Sequence, residues 1–314
     1  MSAMAPQRAY LPDGRVHFSH GPIDLVIQVE GSADAVRSAH ELAWQRFKTV
    51  LTELVDELAI IQRPLGVAGA CPVEGGIARR MWAACYPFRH GYITPMAAVA
   101  GSVAQEIIGF YQGPGIMRAA VNNGGDIALY LSAGASYRVG ICTEIYTATD
   151  AARRGNLRPD GELSIDADSP VRGVATSGWR GRSFSFGIAD SVTVLADTAA
   201  QADAAATIIA NAVNVNDIRI RRLPACALKD NSDLGDMLVT VDVPELESDV
   251  VEHALQTGLE RAHHLQRDGL IRDAILTCQR KVMHLGCGIA SASAIRQTCI
   301  EAPRSTSQST WAMN

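Results

Sequence analysis

The sequence predicts an α+β fold in which antiparallel sheets pack against long helices. Short runs that alternate between apolar and polar residues, such as residues 23–29, are bounded by turn formers and predict strands. Apolar residues recur at helical spacing over residues 33–61, and an alanine-rich helix is predicted over residues 198–213. The 314 residues are 47% hydrophobic and 19% charged, a composition that allows a sizeable packed core.

The remaining elements follow from local signals along the chain. Turn residues at 12–14 and 21–22 divide residues 1–30 into two strands, and Thr94 followed by Pro95 marks a helix start. In chain order, the further predicted segments are helices at 77–85 and after 94, a strand meander at 116–123, 124–131 and 136–142, strands at 162–165, 191–196, 218–223 and 237–243, and a helical region at 247–284.

Charge and hydropathy argue against several classes of protein. The formal net charge is −5, so the basic surplus typical of nucleic-acid binders is missing. We find no apolar run long enough for a membrane span and no signal-peptide pattern at the start of the chain. The seven cysteines are odd in number and form no C-x-x-C motif, which is typical of reduced thiols. We therefore expect a cytoplasmic protein that binds neither nucleic acid nor membrane.

One predicted helix carries two oxygen-bearing side chains on the same face. Asp203 and Thr207 are spaced i, i+4 among alanine and isoleucine residues. Burying a carboxylate there is costly unless a partner satisfies it. A hard cation such as Mg²⁺ is a suitable partner, because it takes oxygen ligands from protein and phosphate together. The alternative is that Asp203 caps the start of the helix.

A glycine-rich junction between two predicted strands is a second candidate site. It consists of Asn123, Gly124, Gly125 and Asp126. Two adjacent glycines let backbone N–H groups approach an anion or a carbonyl closely. We interpret this junction as a ligand-binding turn rather than an ordinary hairpin turn, with Asp126 facing the same pocket.

A third segment, at residues 176–190, is rich in glycine, serine and arginine. Its hydroxyls and backbone N–H groups suit an anionic ligand, its arginines supply counter-charge, and Trp179 is suited to stack on a ring. Asp190 opens the following strand, from which we expect it to reach the pocket of Asp126 and Asp203. The candidate ligand-binding residues of this segment are Thr176, Ser177, Gly178, Arg180 and Arg182.

Four segments of the sequence resemble an uncharacterised protein family within the ApbE (flavin transferase-like) superfamily. They read NNGGDI, PMAAVAGSVAQEI, ATSGWRGRSFSFGIADSVTVLA and QADAAATIIANAV, and the resemblance extends over residues 25–213. ApbE proteins are Mg²⁺-dependent enzymes that attach FMN, taken from FAD, to a threonine of a target protein. The resemblance implies a two-layer, ApbE-like (T-fold-like) architecture, with Mg²⁺ and FAD or FMN as expected cofactors.

The resemblance also implies roles for particular residues. ADAAAT resembles the ADALAT segment of the flavin transferases, which implies that Asp203 and Thr207 bind the metal. GGDI resembles their GGEI-type turn, which implies that Gly124, Gly125 and Asp126 lie at the ligand. Those enzymes carry a His/Asp-Pro-Arg-x-Gly motif after a serine-glycine segment, whereas SFSFGIAD has no Asp-Pro-Arg.

The sequence supports three hypotheses for function. The first is an ApbE-like enzyme that binds a small anionic ligand, such as a flavin or nucleotide, with Mg²⁺ and with Asp126, Asp190 and Asp203 as catalytic candidates. The second is a cofactor-free hydrolase or lyase for a small ring or carboxylate substrate, with one of these aspartates as general base; the missing Asp-Pro-Arg favours it. The third is an accessory protein in sulfur insertion during homocysteine formation, to which some archaeal members of the family are linked.

We expect one domain over residues 1–288. It comprises residues 25–213, which carry the resemblance, and a C-terminal strand and helices over residues 214–288. Residues 289–314, rich in serine, threonine and alanine, predict a flexible or partner-bound tail. The small-residue faces of the alanine-rich helices favour a homo-oligomer.

Overall fold

The computed structural model describes residues 5–67, 69–141 and 161–286. The predicted tail and part of the connection before residue 161 lie outside these residues. The strands are β1 (Gln7–Tyr10), β2 (Val16–His20), β3 (Ile23–Gly31), β4 (Ile116–Asn123), β5 (Asp126–Leu131), β6 (Ser136–Ile141), β7 (Gly161–Asp166), β8 (Gly173–Ser177), β9 (Ser191–Ala196), β10 (Arg221–Pro224), β11 (Leu238–Asp242), β12 (Asp273–Cys278) and β13 (Lys281–His284). The helices are α1 (Ala33–Asp56), α2 (Leu58–Ile61), α3 (Gly76–Cys85), α4 (Val99–Ile108), α5 (Ala199–Ala212), α6 (Ala225–Leu228) and α7 (Ser248–Arg267).

Nine of these strands form one antiparallel sheet, which confirms the predicted α+β class. The strand order is β1-β2-β3-β4-β5-β8-β9-β12-β13. The sheet consists of two halves with the same element order: β2, β3, α1, α4, β4 and β5 in the first, and β8, β9, α5, α7, β12 and β13 in the second. The halves meet at the β5–β8 pair, whose ladder comprises only Ile127↔Val174 and Ala128↔Gly173.

The long helices cover one face of the sheet, and a small ribbon covers part of the other. Buried side chains of α1, α3 and α4 pack on the first half, and those of α5 and α7 pack on the second. On the opposite face, the β6–β7 ribbon packs Val139, Leu163 and Ile165 against strands of both halves. None of the helices in the described residues has the length and apolar character needed to cross a membrane.

Helix α5 is the central helix of this layer, and its sequence explains why. Thr198 is the N-cap, and its hydroxyl accepts a hydrogen bond from the backbone N–H of Gln201 at 3.3 Å. The alanines keep the helix narrow, so that α4 can approach closely. A β-carbon on Gly101 of α4 would lie 2.3 Å from the carbonyl oxygen of Ala199, so only glycine fits at this crossing. Tight packing is therefore one reason for the small residues of α4.

Residues 273–284 were predicted as helix, and this prediction is wrong. Helix α7 ends at Arg267, Gly269 adopts a φ of +73°, and strands β12 and β13 follow. All six residues of β12 are buried because the strand is interior to the sheet with both faces covered. Such a strand lacks the alternating pattern that identifies half-exposed strands, and a short apolar run is easily mistaken for helix.

Other boundaries also differ from the predicted ones. Residues 1–30 contain three strands rather than two. The predicted meander is broken, because β6 pairs with β7 in a separate ribbon and β8 takes its place beside β5. The strand predicted at 218–223 begins only at Arg221, and Ile218 is fully exposed.

Candidate functional site

Most of the predicted site residues lie at one end of the large sheet. In the antiparallel order, the end of β4, the start of β5, the end of β8 and the start of β9 are neighbours, as the pairs Asn123↔Asp126 and Ser177↔Val192 show. Helix α5 crosses the same region on the helical face. The residues placed there by the strands and their connections are Asn123, Gly124, Gly125, Asp126, Thr176, Ser177, Gly178 and Asp190.

The glycine-rich junction is a two-residue β-hairpin, which corrects the expectation that it is not a hairpin turn. Gly124 and Gly125 have φ values of +68° and +119°, a conformation that favours glycine in such turns. The N–H of Gly125 donates to the side-chain oxygen of Asn122 at 2.8 Å. This N–H is therefore already used within the turn rather than directed to a ligand.

Asp126 opens β5 and its side chain lies on the helical face of the sheet, like that of Ala128 in the core beneath α4. The residue is only 8% exposed, and its Oδ1 accepts a hydrogen bond from the backbone N–H of Thr176 at 3.2 Å. Burial raises the pKa of this carboxyl to about 7, although the hydrogen bond from Thr176 opposes the shift. Asp126 therefore releases its proton less readily than an exposed aspartate.

Asp203 projects from the second turn of α5 towards α4. Its Oδ2 accepts a hydrogen bond from the backbone N–H of Gly101 at 2.8 Å. Burial, and then the charge of Asp126, raise the pKa of Asp203 well above its ordinary value. Asp203 does not cap the helix, since Thr198 is the N-cap. The two carboxylates, one from each half of the sheet, therefore form an electrostatically coupled pair.

Two further residues surround this pair. Asn123 is 7% exposed, and its Nδ2 donates to the carbonyl oxygen of Ala100 at 3.1 Å, so that neighbouring backbone groups of α4 hold both Asn123 and Asp203. Thr207 lies one turn after Asp203 and is partly buried, and its hydroxyl makes no hydrogen bond within the described residues. The Asp203–Thr207 spacing predicted from the sequence therefore occurs on a helix.

The carboxylate pair has no cationic side chain bound to it within the described part of the chain. Two carboxylates, one of them flanked by a free hydroxyl, are a suitable oxygen donor set for Mg²⁺. No group of three or more His, Cys, Asp or Glu side chains suited to a metal occurs among the residues described. A cation here would therefore complete its coordination with oxygens of a bound ligand or with water, as Mg²⁺ often does.

The segment after β8 folds back over the hairpin. Gly178 packs so tightly that a β-carbon there would lie 2.3 Å from the carbonyl oxygen of Asp190. Arg182 is exposed, and its Nη1 lies 3.1 Å from the position that a β-carbon would take on Gly124. Arg180 stacks on Trp179, with the guanidinium carbon 4.9 Å from the ring centroid. The ring expected to stack on a ligand therefore carries an arginine of its own chain.

Thr176 and Ser177 lie on opposite faces of the sheet. Thr176 offers its N–H to Asp126, but its hydroxyl is on the face opposite the helices, 3.0 Å from that of Thr193. Ser177 is on the helical face, like Ala175, and is partly buried. Of these two hydroxyls, only that of Ser177 is on the face that carries the carboxylate pair.

Asp190 has a different environment from Asp126 and Asp203. It is 8% exposed, and its Oδ2 accepts a hydrogen bond from the backbone N–H of Gln279 at 2.6 Å. Its Oδ1 lies 3.4 Å from Nε of Arg180. The structure thus brings Asp126 and Asp203 together and gives Asp190 partners of its own.

Sequence reasoning missed the backbone partners of the site. The peptide of Ala100 and Gly101 binds Asn123 and Asp203, and the available signal was the run of small residues in which Gly101 permits close approach. Gln279 was missed because its segment was predicted as helix.

Two open grooves, of about 590 and 490 Å³, lie elsewhere: one beside the first turns of α7 and one beside the end of α1. None of the predicted site residues lines either groove.

Comparisons with known proteins identify relatives over much of the chain. A "UPF0280 protein" of Methanothermobacter thermautotrophicus is 39% identical over 138 residues, which cover 41% of this chain and 46% of that relative. The chain thus spans about half the length of that relative. A "UPF0280 protein" of Methanospirillum hungatei is 34% identical over 184 residues, which cover 56% of this chain and 68% of the relative.

Two solved structures share a distant similarity with the chain. The apo form of the flavinyl transferase ApbE of Pseudomonas stutzeri aligns with 90% of this chain and 96% of its own at 12% identity, with a TM-score of 0.43. The flavin transferase ApbE of Vibrio cholerae aligns with 90% of this chain and 98% of its own at 14% identity, with a TM-score of 0.36.

The family model described as AbpE bacteria matches residues 8–286. Since that match covers most of the chain, the protein belongs to the AbpE bacteria family.

Proposed function

We propose that the protein is an ApbE-like enzyme in which Asp126 and Asp203 hold a divalent cation, Mg²⁺, for a small phosphate-bearing ligand such as a flavin or another nucleotide. The observation that carries the proposal is that Asp126 and Asp203 lie at the same end of the sheet, held by backbone N–H groups of Thr176 and Gly101, with no cationic side chain bound to either in the described residues. Each carboxylate raises the cost of ionising the other, so a divalent cation between them would relieve both. The ligand class rests on the resemblance in the four sequence segments.

The chain's own groups have distinct roles in this proposal. Asp126 and Asp203 bind the cation, and Thr207 supplies a further oxygen. Asn123 and the Ala100–Gly101 backbone hold the two halves of the site at a fixed distance. Arg182, exposed above Gly124, meets an anionic group of the ligand at the open side. The cation supplies charge neutralisation at the phosphate.

The test is the thermal unfolding of the purified protein with Mg²⁺, and with FAD, FMN or ATP, each with and without EDTA. We expect a flavin or nucleotide to raise the Tm of the wild type only when Mg²⁺ is present, because ligands that bind the folded state stabilise it. The matched variant is Asp203→Asn, which keeps an acceptor for the Gly101 N–H but removes the charge. Stabilisation that survives this variant or EDTA would contradict the proposal.

A second candidate function is favoured by the pKa of Asp126. At about 7, this carboxyl has the pKa of an efficient general base at neutral pH, as a cofactor-free hydrolase or lyase requires. Under this alternative, turnover of a small carboxylate or ring substrate would persist in EDTA. Its rate would rise through pH 7 and be lost in Asp126→Asn. A screen of such substrates in EDTA separates the two candidates.

A further inference from the structure

The chain between β10 and β11 forms an arm that projects from the second half of the molecule and reaches the first. The arm consists of residues 221–242, and its two strands pair only with each other. Several apolar side chains of the arm face solvent, including Leu223, Leu228 and Leu238. A two-stranded ribbon with exposed apolar residues has little stability of its own. At its base Val239 is buried and Arg222 donates to Asn214, and the contacts of its tip add to these.

The tip of the arm contacts the segment that leads into α4. The Oδ2 of Asp233 accepts a hydrogen bond from the hydroxyl of Thr94 at 2.5 Å, and the carbonyl oxygen of Asp233 accepts one from the hydroxyl of Tyr92 at 2.7 Å. Nearby, the side chain of Gln62 donates to the carbonyl oxygen of Asn231 at 3.0 Å. Asp233 thus makes two of the three hydrogen bonds of the tip.

Thr94 is an unusual partner for Asp233, because it is the residue from which a helical cap is expected. It is the N-cap of the 3-10 turn Pro95–Ala98 that leads into α4, yet its hydroxyl makes no capping bond. The hydroxyl is buried, with the residue 2% exposed, and it is directed to the carboxylate of Asp233 instead. A hydrogen bond to a charged acceptor is stronger than one between neutral groups. The arm therefore contacts the residue at which the α4 segment begins.

The α4 segment connects this contact to the carboxylate pair. Seven residues after Thr94, the N–H of Gly101 donates to Asp203, and the preceding carbonyl of Ala100 accepts from Asn123. Gly101 also packs directly on Ala199, so a displacement of α4 cannot be absorbed at the crossing. A shift at the start of the segment is thus transmitted to Asp203.

The arm also contacts the loop that carries the arginines. The N–H of Thr240 at the root of the arm donates to the carbonyl oxygen of Ser185 at 2.8 Å. Phe186 packs edge-on against Tyr92, with ring centroids 6.3 Å apart. The root of the arm therefore contacts Ser185 directly, and its tip contacts Phe186 through Tyr92.

We propose that Asp233 is a positioning residue, which sets the separation of Asp203 from Asp126 by docking the arm on Thr94 and Tyr92. This inference rests on the proposed function, because the carboxylate pair is the site that it positions. Asp233 itself does not contact the cation or the ligand. Removing its carboxylate releases the α4 segment and loosens the metal site from a distance.

The experiment uses Mn²⁺ as a spectroscopic probe of the proposed metal site in the 314-residue chain. Asp233→Ala is compared with Asp233→Asn, which keeps an acceptor for Thr94, and with Asp230→Ala, an exposed residue of the same arm. We expect Asp233→Ala to raise the Kd for Mn²⁺ by roughly fivefold. This is a typical effect for a residue coupled to a site that it does not touch. We expect Asp233→Asn to recover most of the affinity and Asp230→Ala to behave as wild type.

A double-mutant cycle identifies the partner. Thr94→Val should weaken Mn²⁺ binding as Asp233→Ala does, and the double variant should be no weaker than Asp233→Ala alone, because both remove the same hydrogen bond. A lowered Tm with unchanged Mn²⁺ affinity in Asp233→Ala would overturn the inference, since that is the result of a merely structural role. Equal effects of Asp233→Ala and Asp230→Ala would overturn it as well.

Hydrogen exchange separates the failure of this inference from that of the proposed function. If the wild type binds no Mn²⁺, the metal-assisted function is wrong, and amide exchange in residues 95–108 then decides the positioning role. Faster exchange of this segment in Asp233→Ala than in Asp230→Ala supports the inference. Equal exchange in the two variants overturns it.

Discussion

Two hairpins lie at the same end of the sheet and close corresponding strand pairs of the two halves. The first joins β4 to β5 through Gly124 and Gly125, and the second joins β12 to β13 through Gln279 and Arg280. Both have positive φ at both central residues, with +68° and +119° in the first and +44° and +67° in the second. Positive φ at both central positions is thus built once from glycines and once from residues that disfavour it.

The difference between the hairpins indicates which aspartate is structural. The second hairpin is held by several bonds: its Gln279 N–H donates to Asp190, and its Gln279 side chain bonds to Leu246 and Pro244. Asp190 therefore stabilises a turn with unfavourable dihedral angles. The first hairpin has glycines and needs no such support, yet it carries Asp126, a buried carboxylate that destabilises the folded state when ionised. The hydrogen bond that Asp126 accepts from the Thr176 N–H could equally be made by an uncharged amide, so the costly carboxylate is the better candidate for function.

Replacing Asp190 tests the structural side of this comparison and has the largest expected effect. Asp190→Ala leaves the Gln279 N–H without its acceptor and removes the partner of Arg180. We expect a loss of about 3 kcal/mol in the free energy of unfolding, measured by urea denaturation. Asp190→Asn keeps an acceptor for the N–H and should lose much less. A loss in Asp190→Ala no greater than that of an average surface substitution would remove the distinction between the two aspartates.

Replacing Asp126 should raise the free energy of unfolding, whereas replacing Asp190 should lower it. Asp126→Asn keeps an acceptor for the Thr176 N–H but cannot ionise. We expect the variant to be more stable than the wild type at pH 8 by on the order of 2 kcal/mol, because the cost of an ionised buried carboxylate is gone. It should also lose the stabilisation by Mg²⁺. A less stable variant at pH 8 would show that Asp126 has a structural role like that of Asp190.

The pH dependence of stability follows from the same raised pKa. Between pH 4 and pH 7 the unfolded chain has released the proton of Asp126, while the folded protein keeps it, since the folded pKa is about 7. The folded state then binds more protons, so stability falls as pH rises, by up to about 1.4 kcal/mol per pH unit. The difference between wild type and Asp126→Asn reports this contribution together with the accompanying change at Asp203, whose pKa the charge of Asp126 raises. A difference that does not change over this range would contradict the raised pKa.

The smallest expected effects concern the central residues of the hairpins. Arg280 is exposed and has a φ of +67°, so Arg280→Gly should stabilise the protein by about 0.5–1 kcal/mol. Gly125→Ala is the matched change in the other hairpin, where a β-carbon would have free space but the φ of +119° disfavours alanine. It should destabilise by about 1 kcal/mol. If Arg280→Gly and Gly125→Ala changed the Tm in the same direction, backbone conformation would not distinguish the two hairpins.

Local elements with their own signals could be predicted from the sequence. The limits of α5 follow from Thr198 as N-cap and from the alanine run, and β9 begins and ends where the apolar run does. The pairing of Asp203 with Thr207 on one helical face follows from their spacing alone. The glycines between Asn123 and Asp126 also indicated a special backbone conformation, although not that it is a hairpin.

Features that depend on the assembled sheet could not be predicted. The interior strand β12 is buried on both faces, so its sequence has no alternation to recognise. Nor does the sequence show that Asp190 meets the N–H of Gln279 rather than the pocket of Asp126, because the two segments are far apart in the chain. The partner of Asp203 is a backbone group of α4, and a backbone group has no signal of its own in the sequence. The small residues of that helix indicate only that another element approaches it closely.

The short seam between the two halves has a consequence for how the protein unfolds. In the described residues the β5–β8 ladder has two residue pairs, extended by a hydrogen bond from the Leu129 N–H to Arg172, while Asp126 belongs to the first half and Asp203 to the second. A ligand bound by both carboxylates, as proposed, would therefore crosslink the two halves. Binding of the ligand would then change the cooperativity of denaturation. We expect a single sharp transition when the ligand is bound, and a broader transition with a lower m-value when it is absent and the halves separate.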